Sequence, residues 1–357
     1  MKIIELNQEQ FSLKNITIKF EQLNQDEHIF LSRVLKRVSS KVFLDIKSLL
    51  VFLDIDELRN LLPFFKIEEQ RRQLELIIQR HQLIWSSERF RFDLTSSAIV
   101  YSIVNVTPDS FYDGSVDHLQ VDYILKRVES DLENGAAVIE LGGKSSRPGY
   151  ADISPEEEWL RLEKPLKAIK QHFPRAIVAI DTDEALVMER TLDLGADIIN
   201  DIDGFDTHEK LEVIQNYRPA VVAMNNGRAG FNFAENVFDE LPLFFEEKAK
   251  ELRAIGLKNE QICIDPGVGF FKGDSGLDSV QRLKATERLT HLGLPVMVAI
   301  SRKSFMESIF NVVSKDRLFS TLMLEAQMIL DGGRILRVHD VKETKVLIDA
   351  VKRYKEI

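Results

Sequence analysis

A chain of 357 residues with 44% hydrophobic and 29% charged side chains has the make-up of an ordinary globular protein, not of a disordered or fibrous one. Its net charge of -10 excludes a nucleic-acid partner held by bulk electrostatics, so any anion site must be local. The single cysteine, Cys263, excludes an intrachain disulfide framework, and the run around it reads as a buried strand with an inert thiol.

In chain order, the N-terminus lacks the apolar stretch of about 7 residues or more that a signal peptide needs. No later run approaches the roughly 18 uncharged apolar residues of a membrane span, so the expectation is a cytoplasmic protein with no membrane partner. Residues 1–95 carry two apolar helical stretches, 29–51 and 58–84, and no functional motif, which suggests a largely helical N-terminal extension of unknown role. Residues 90–94 alternate like a strand and could form a hairpin with the next strand, plugging the bottom of a barrel.

From residue 96 to 357, short β-branched runs alternate with longer amphipathic segments, the pattern of repeated βα units. Eight strands are predicted, at 99–104, 137–141, 177–180, 198–199, 220–223, 262–264, 296–300 and 335–338. Helical periodicity fills the gaps, closed at Gly135 in one case and opened by Ser154 and Pro155 in the next. Eight units in series, with no glycine fingerprint after the first strand, favour a closed (β/α)8 barrel over an open doubly wound sheet. A barrel of this kind takes about 250 residues, which leaves room for the extension.

Each strand is followed by a polar cluster, and in a barrel all eight lie at the C-terminal rim, where active sites of this fold sit. After the first strand comes Asn105 and a long loop through Phe111 to Gly114, a plausible lid. The second loop, Gly142 to Gly149, brings together glycines, the hydroxyls of Ser145 and Ser146, Arg147 and Pro148, groups suited to an oxyanion-rich ligand. Asp181, Asn200 and Asp265 each end a different strand. Taken singly each could cap the next helix; together they could pair with a flat heterocycle rich in N–H donors. Arg302 and Lys303 stand at a helix start, where the macrodipole disfavours cations, a conflict that signals function unless the side chains simply reach into solvent. Arg337 and His339 close the eighth strand at the usual phosphate position of the fold, or form an ordinary ion-paired rim. No His/Cys cluster with transition-metal spacing and no nucleophile motif is visible.

The series NVTPDSFYDG, ELGGKSSRPG, AIDT, GADIIND, IDPGVGF, ISRKSF and RVHDVKE resembles that of the dihydropteroate synthases, in the same order, over roughly residues 95 to 355. The resemblance implies a pterin-binding (β/α)8 transferase that condenses 6-hydroxymethyl-7,8-dihydropterin pyrophosphate with p-aminobenzoate, releasing pyrophosphate with Mg2+ as cofactor. Carried over by position, Asp181, Asn200, Asp265 and Lys303 would hold the pterin, and Lys303, Asp265 and Arg337 would be the catalytic set. Arg337, His339, Ser146 and Arg147 would engage pyrophosphate, with Asn105 on the metal. Phe111, Ser146, Pro148 and Phe270 would shape the p-aminobenzoate pocket, and Ser304 would receive its carboxylate. A homodimer is also implied.

Two departures stand out. Lys144 occupies a second-loop position that is usually acidic, and the run after the fifth strand reads Met224-Asn225-Asn226 where the family usually has Met-His-Met. Two rivals share the pterin-holding residues: a non-catalytic pterin-binding paralogue, and a barrel that moves a methyl group from a folate to a corrinoid.

Overall fold

The structure is a computed structural model. It describes the chain except residues 9, 40, 46, 107–116, 145–152, 228–235, 271–275 and 357, and describes only the backbone of 44, 117–120 and 356. Phe111, Ser146, Arg147 and Pro148 therefore lie outside the described residues.

The chain divides into two compact units. The first comprises residues 1–84, 93–96 and 290–293; the second holds the remainder. The first unit opens with β1 (Lys2–Glu5) and β2 (Ile16–Glu21), followed by α1 (Gln25–Val38), β3 (Val42–Leu44), β4 (Ser48–Leu53), α2 (Ile55–Leu61) and α3 (Glu68–Arg80). Its strands form an antiparallel sheet in the order β1-β2-β4-β3. Three helices lie in the same unit as this sheet, and the helical stretch expected over 29–51 ends at Val38. In Ser48–Leu53 alternate residues are buried, so this run packs one face of a sheet and cannot present a helical stripe. α1 and α2 begin with full capping boxes, Asn24 with Glu27 and Asp54 with Glu57.

The expected hairpin exists with a different partner. β6 (Arg91–Asp93) pairs with β5 (Ile84–Ser86), not with the first barrel strand. The ring of Trp85 stacks on Tyr101 with centroids 6.4 Å apart and packs edge-on against Phe90 at 5.4 Å. Arg89 donates to the Pro174 carbonyl at 2.6 Å and pairs with Asp197, just before the third and fourth barrel strands. These contacts fix the hairpin at the N-terminal end of the barrel.

In the second unit eight parallel strands follow in sequence: β7 (Ile99–Asn105), β8 (Ala136–Gly142), β9 (Val178–Asp181), β10 (Ile198–Asp201), β11 (Ala220–Met224), β12 (Ile262–Asp265), β13 (Met297–Val298) and β14 (Ile335–Val338). The hydrogen-bonded order β12-β11-β10-β9-β8-β7-β14-β13 ends on β12 and β13, and a bridge between Ile264 and Val296 joins them. The sheet thus comes back on itself as a (β/α)8 barrel. Around it lie α4 (Asp117–Glu133), α5 (Pro155–His172), α6 (Ala185–Asp193), α7 (His208–Tyr217), α8 (Val237–Ala254), α9 (Leu277–Leu289), α10 (Phe305–Phe310), α11 (Arg317–Leu330) and α12 (Val341–Glu356). Ser154 caps α5 through the Glu157 N–H with Pro155 in its first turn, as the sequence predicts. Cys263 is fully buried, and burial pushes its thiol pKa well above the ordinary value, which keeps it inert.

Candidate active site

Parallel register places the strand-end residues in one row. Asn105 lies opposite Gly142, Gly142 opposite Asp181, and Asp181 opposite Asn200. Residues level with one another in a parallel sheet face the same way, so this row projects into the barrel mouth. Gly142 keeps the row open: a Cβ there would lie 3.4 Å from Asn105 Oδ1 and 3.9 Å from Asp181 Cβ, filling the space between them.

Two residues before Gly142, and therefore on the same face of β8, stands Glu140. It is 1% exposed and accepts from Asn200 Nδ2 at 2.9 Å and from Arg337 Nε at 2.8 Å. Arg337 also donates to Asp181 at 2.6 Å. Four strands thus contribute to one buried network. Sequence reasoning missed Glu140; the signal was a lone carboxylate inside the apolar run Ala136–Gly142.

The same contacts decide what the sequence left open. The side chains of Asp181 and Asn200 do not cap helices: Glu184 and Thr207 occupy the N-cap positions of α6 and α7. Arg337 is ion-paired, but in the barrel interior with two carboxylates, and not along a solvated rim.

The network's electrostatics follow from burial. Asp181 is pushed up to about 7 by burial, with Glu140 adding to the rise and Arg337 opposing it. For Arg337, burial favours the neutral form, but Glu140 and Asp181 override it and hold the guanidinium charged.

Asp265 ends β12 and accepts the Gly267 N–H at 2.8 Å. Burial raises its pKa, while Lys303 and that N–H pull it down. Lys303 donates to the Val268 carbonyl, and its ammonium sits 4.5 Å above the Phe270 ring. Gly269, at φ +88°, lets the lysine stem pass: a Cβ there would meet Lys303 Cδ at 3.0 Å. Burial lowers the Lys303 pKa to about 8, against the pull of Asp265.

Ser304 is exposed and precedes α10 without a side-chain cap bond. Arg302, grouped with Lys303 in the sequence, turns away from it and pairs with Asp340. The His339 backbone N–H donates to Ser301 Oγ at 3.2 Å. Lys144 pairs with Asp183 at 3.2 Å and Glu184 at 3.5 Å, linking the second loop's base to the third. Asn225 at the end of β11 accepts Arg282 at 3.1 Å and the Gly227 N–H at 3.1 Å. Among the described residues no three His, Cys, Asp or Glu side chains gather as a metal cage, and Asn105 presents an exposed amide at the rim.

Residues 101–339 match the family model described as "Pterin binding enzyme". The chain is 34% identical over 256 residues to the dihydropteroate synthase of Clostridium beijerinckii, covering 71% of this chain and 92% of that one. This chain belongs to the dihydropteroate synthase family. A solved Clostridium difficile dihydropteroate synthase, determined in the presence of pteroic acid, superposes with a TM-score of 0.69 at 32% identity, covering 74% of this chain and 98% of that one. The Xanthomonas albilineans dihydropteroate synthase with 4-aminobenzoic acid gives 0.68 at 28% identity, over 77% and 98%. The dihydropteroate synthase match leaves much of the N-terminal unit unaccounted for.

Proposed function

We propose that the chain is a dihydropteroate synthase that joins 6-hydroxymethyl-7,8-dihydropterin pyrophosphate to p-aminobenzoate. The observation that carries this reading is the polar network of Glu140, Asp181, Asn200 and Arg337 in the barrel mouth, with Asp265 ending β12 and Lys303 on the loop after β13. Carboxylates and an amide suit the N–H donors of the pterin, while Lys303 and Arg337 suit its carbonyl and the departing charge. The C–O bond to pyrophosphate breaks with its electron pair going to the leaving group. The amine nitrogen of p-aminobenzoate then bonds to the methylene carbon and loses a proton. No side-chain nucleophile takes part.

A site whose described residues offer one amide oxygen suits Mg2+, because this ion keeps waters and takes phosphate oxygens from the substrate. Asn105 would be its protein ligand, and Mg2+ would neutralise developing charge on pyrophosphate. His339, and Ser146 and Arg147 of the second loop, would bind the same pyrophosphate. Phe270 with Phe111 and Pro148 would flank the arylamine, and Ser304 would meet its carboxylate.

We also propose a homodimer formed through α11. Phe319, Met323 and Leu330 are 72%, 59% and 41% exposed and fall on one stripe, opposite the buried Arg317, Thr321 and Glu325. Among the described residues no helix is long and apolar enough to cross a membrane, and a cytoplasmic location suits the charged substrates.

The test is a pyrophosphate-release assay with pterin pyrophosphate, p-aminobenzoate and Mg2+. Release that requires all three supports the reading, and tight pterin binding without turnover would make the chain a non-catalytic binder. That second reading is favoured only by Lys144 and by Asn225-Asn226.

A further inference from the structure

Arg302 and Asp340 belong to no part of the mechanism above, yet their geometry is among the most constrained at the rim. Arg302 has φ +55°, a left-handed conformation that a side-chain-bearing residue keeps only when its surroundings over-determine it. The surroundings do so from three directions. Its N–H donates to Thr321 Oγ1 at 3.0 Å, and its carbonyl accepts from Arg317 Nη1 at 3.2 Å. Its guanidinium takes Asp340 in a fork, Nε to Oδ2 at 2.7 Å and Nη2 to Oδ1 at 2.8 Å.

The consequence is a divergence of neighbours. Lys303 runs toward Val268 and Phe270 on the loop after β12, while Arg302 runs toward the loop after β14. Ser301, one residue earlier, accepts the His339 N–H at 3.2 Å, and Arg127 on α4 donates to the His339 carbonyl at 2.6 Å. His339 is thus gripped on both sides of its peptide. The loops that carry Lys303 and His339 are joined at two points, one of them a two-bond fork.

We propose that Arg302 and Asp340 act as a positioning clamp, fixing the phosphate-facing loop of His339 against the pterin-facing loop of Lys303. The proposal rests on the dihydropteroate synthase reading for what the two loops hold. A displacement reaction needs its leaving group at a set distance from the ring that stabilises the reacting carbon, and small misplacement costs rate steeply. A forked Arg–carboxylate pair sets distance and angle together, which a single lysine contact cannot.

The test uses Arg302→Gln, Asp340→Asn and Arg302→Lys in the full chain, each first checked for a wild-type melting curve. Calorimetry measures 6-hydroxymethylpterin alone, then Mg2+ with inorganic pyrophosphate in the presence of that pterin. The clamp predicts pterin affinity within about two-fold of wild type for Arg302→Gln and Asp340→Asn. It also predicts pyrophosphate affinity and kcat reduced by about ten-fold, on the usual scale of coupling between sites. Arg302→Lys should recover only part of the loss, because it restores charge without the fork. Unchanged pyrophosphate affinity and kcat in a folded variant would overturn the clamp, as would equal losses for pterin and pyrophosphate. If Arg302→Gln fails to fold, Asp340→Asn carries the same comparison from the opposite loop. A wild-type protein without turnover would sink the functional reading alone, since the two titrations still read the coupling.

Discussion

Arg337 on the last barrel strand donates to Asp181 on the third at 2.6 Å, and the same guanidinium donates to Glu140 on the second at 2.8 Å. Two carboxylates share one cation, so removing the cation leaves buried charge uncompensated. Arg337→Met should abolish turnover and destabilise the fold by roughly 3 to 5 kcal/mol near pH 8. The deficit should shrink toward pH 5, where Asp181, left without its cation, takes up a proton. Urea denaturation at the two pH values checks this; an equal deficit at both would mean that Arg337 contributes packing and not charge balance.

Among the described residues Lys303 contacts the Val268 carbonyl and the face of Phe270, neither of them a support of the fold. Lys303→Ala should therefore keep a melting temperature within a few degrees of wild type, yet lose ~10²- to 10³-fold in kcat/KM, as when a group stabilising developing charge is removed. Near wild-type turnover at saturating substrates would remove the residue from the mechanism.

The pH dependence of activity follows from two shifted groups. Asp181, raised to about 7, would accept two pterin N–H groups best when ionised, so binding should weaken as pH falls through that value. Lys303, lowered to about 8, is cationic only below it, so its contribution fades as pH rises. A bell-shaped kcat/KM profile with its top between these values is expected. In Lys303→Arg the alkaline limb should move upward, because arginine stays charged. A flat profile between pH 6 and 9 would show that neither ionisation governs binding.

Glu158, in the first turns of α5, is fully buried beneath Gly143, where a Cβ would lie 3.0 Å from its Cγ. Among the described residues neither carboxylate oxygen has a hydrogen-bond partner. Burial pushes its pKa from 4.5 to about 8. A folded-state pKa raised above the unfolded one gives stability that is full below 4.5 and is lost as pH rises through 8. Glu158→Gln removes that loss, so relative to wild type it should gain roughly 3 to 4 kcal/mol between pH 5 and pH 8. A variant whose advantage is the same at both pH values would show that Glu158 is not the titrating group.

The sequence by itself determined the barrel, because eight β-branched runs alternating with capped amphipathic helices admit few other closures. It also placed Asp181, Asn200, Asp265 and Arg337 at strand ends, and Lys303 at the helix start after the seventh strand, since the ends of apolar runs can be read from composition. It did not determine which polar side chain meets which. Glu140 sits inside an apolar run, and its partners, Asn200 and Arg337, are 60 and 197 residues away. Only the closing of the sheet, which sets β14 beside β7, brings Arg337 within reach of β8 and β9. Arg302 and Lys303 look alike as adjacent cations, and the left-handed turn at Arg302 alone sends one to Asp340 and the other toward Phe270. In the N-terminal unit the apolar pattern marked burial, but strand and helix compete over short runs. There the pairing of β2 with β4, a tertiary contact, decided for the sheet.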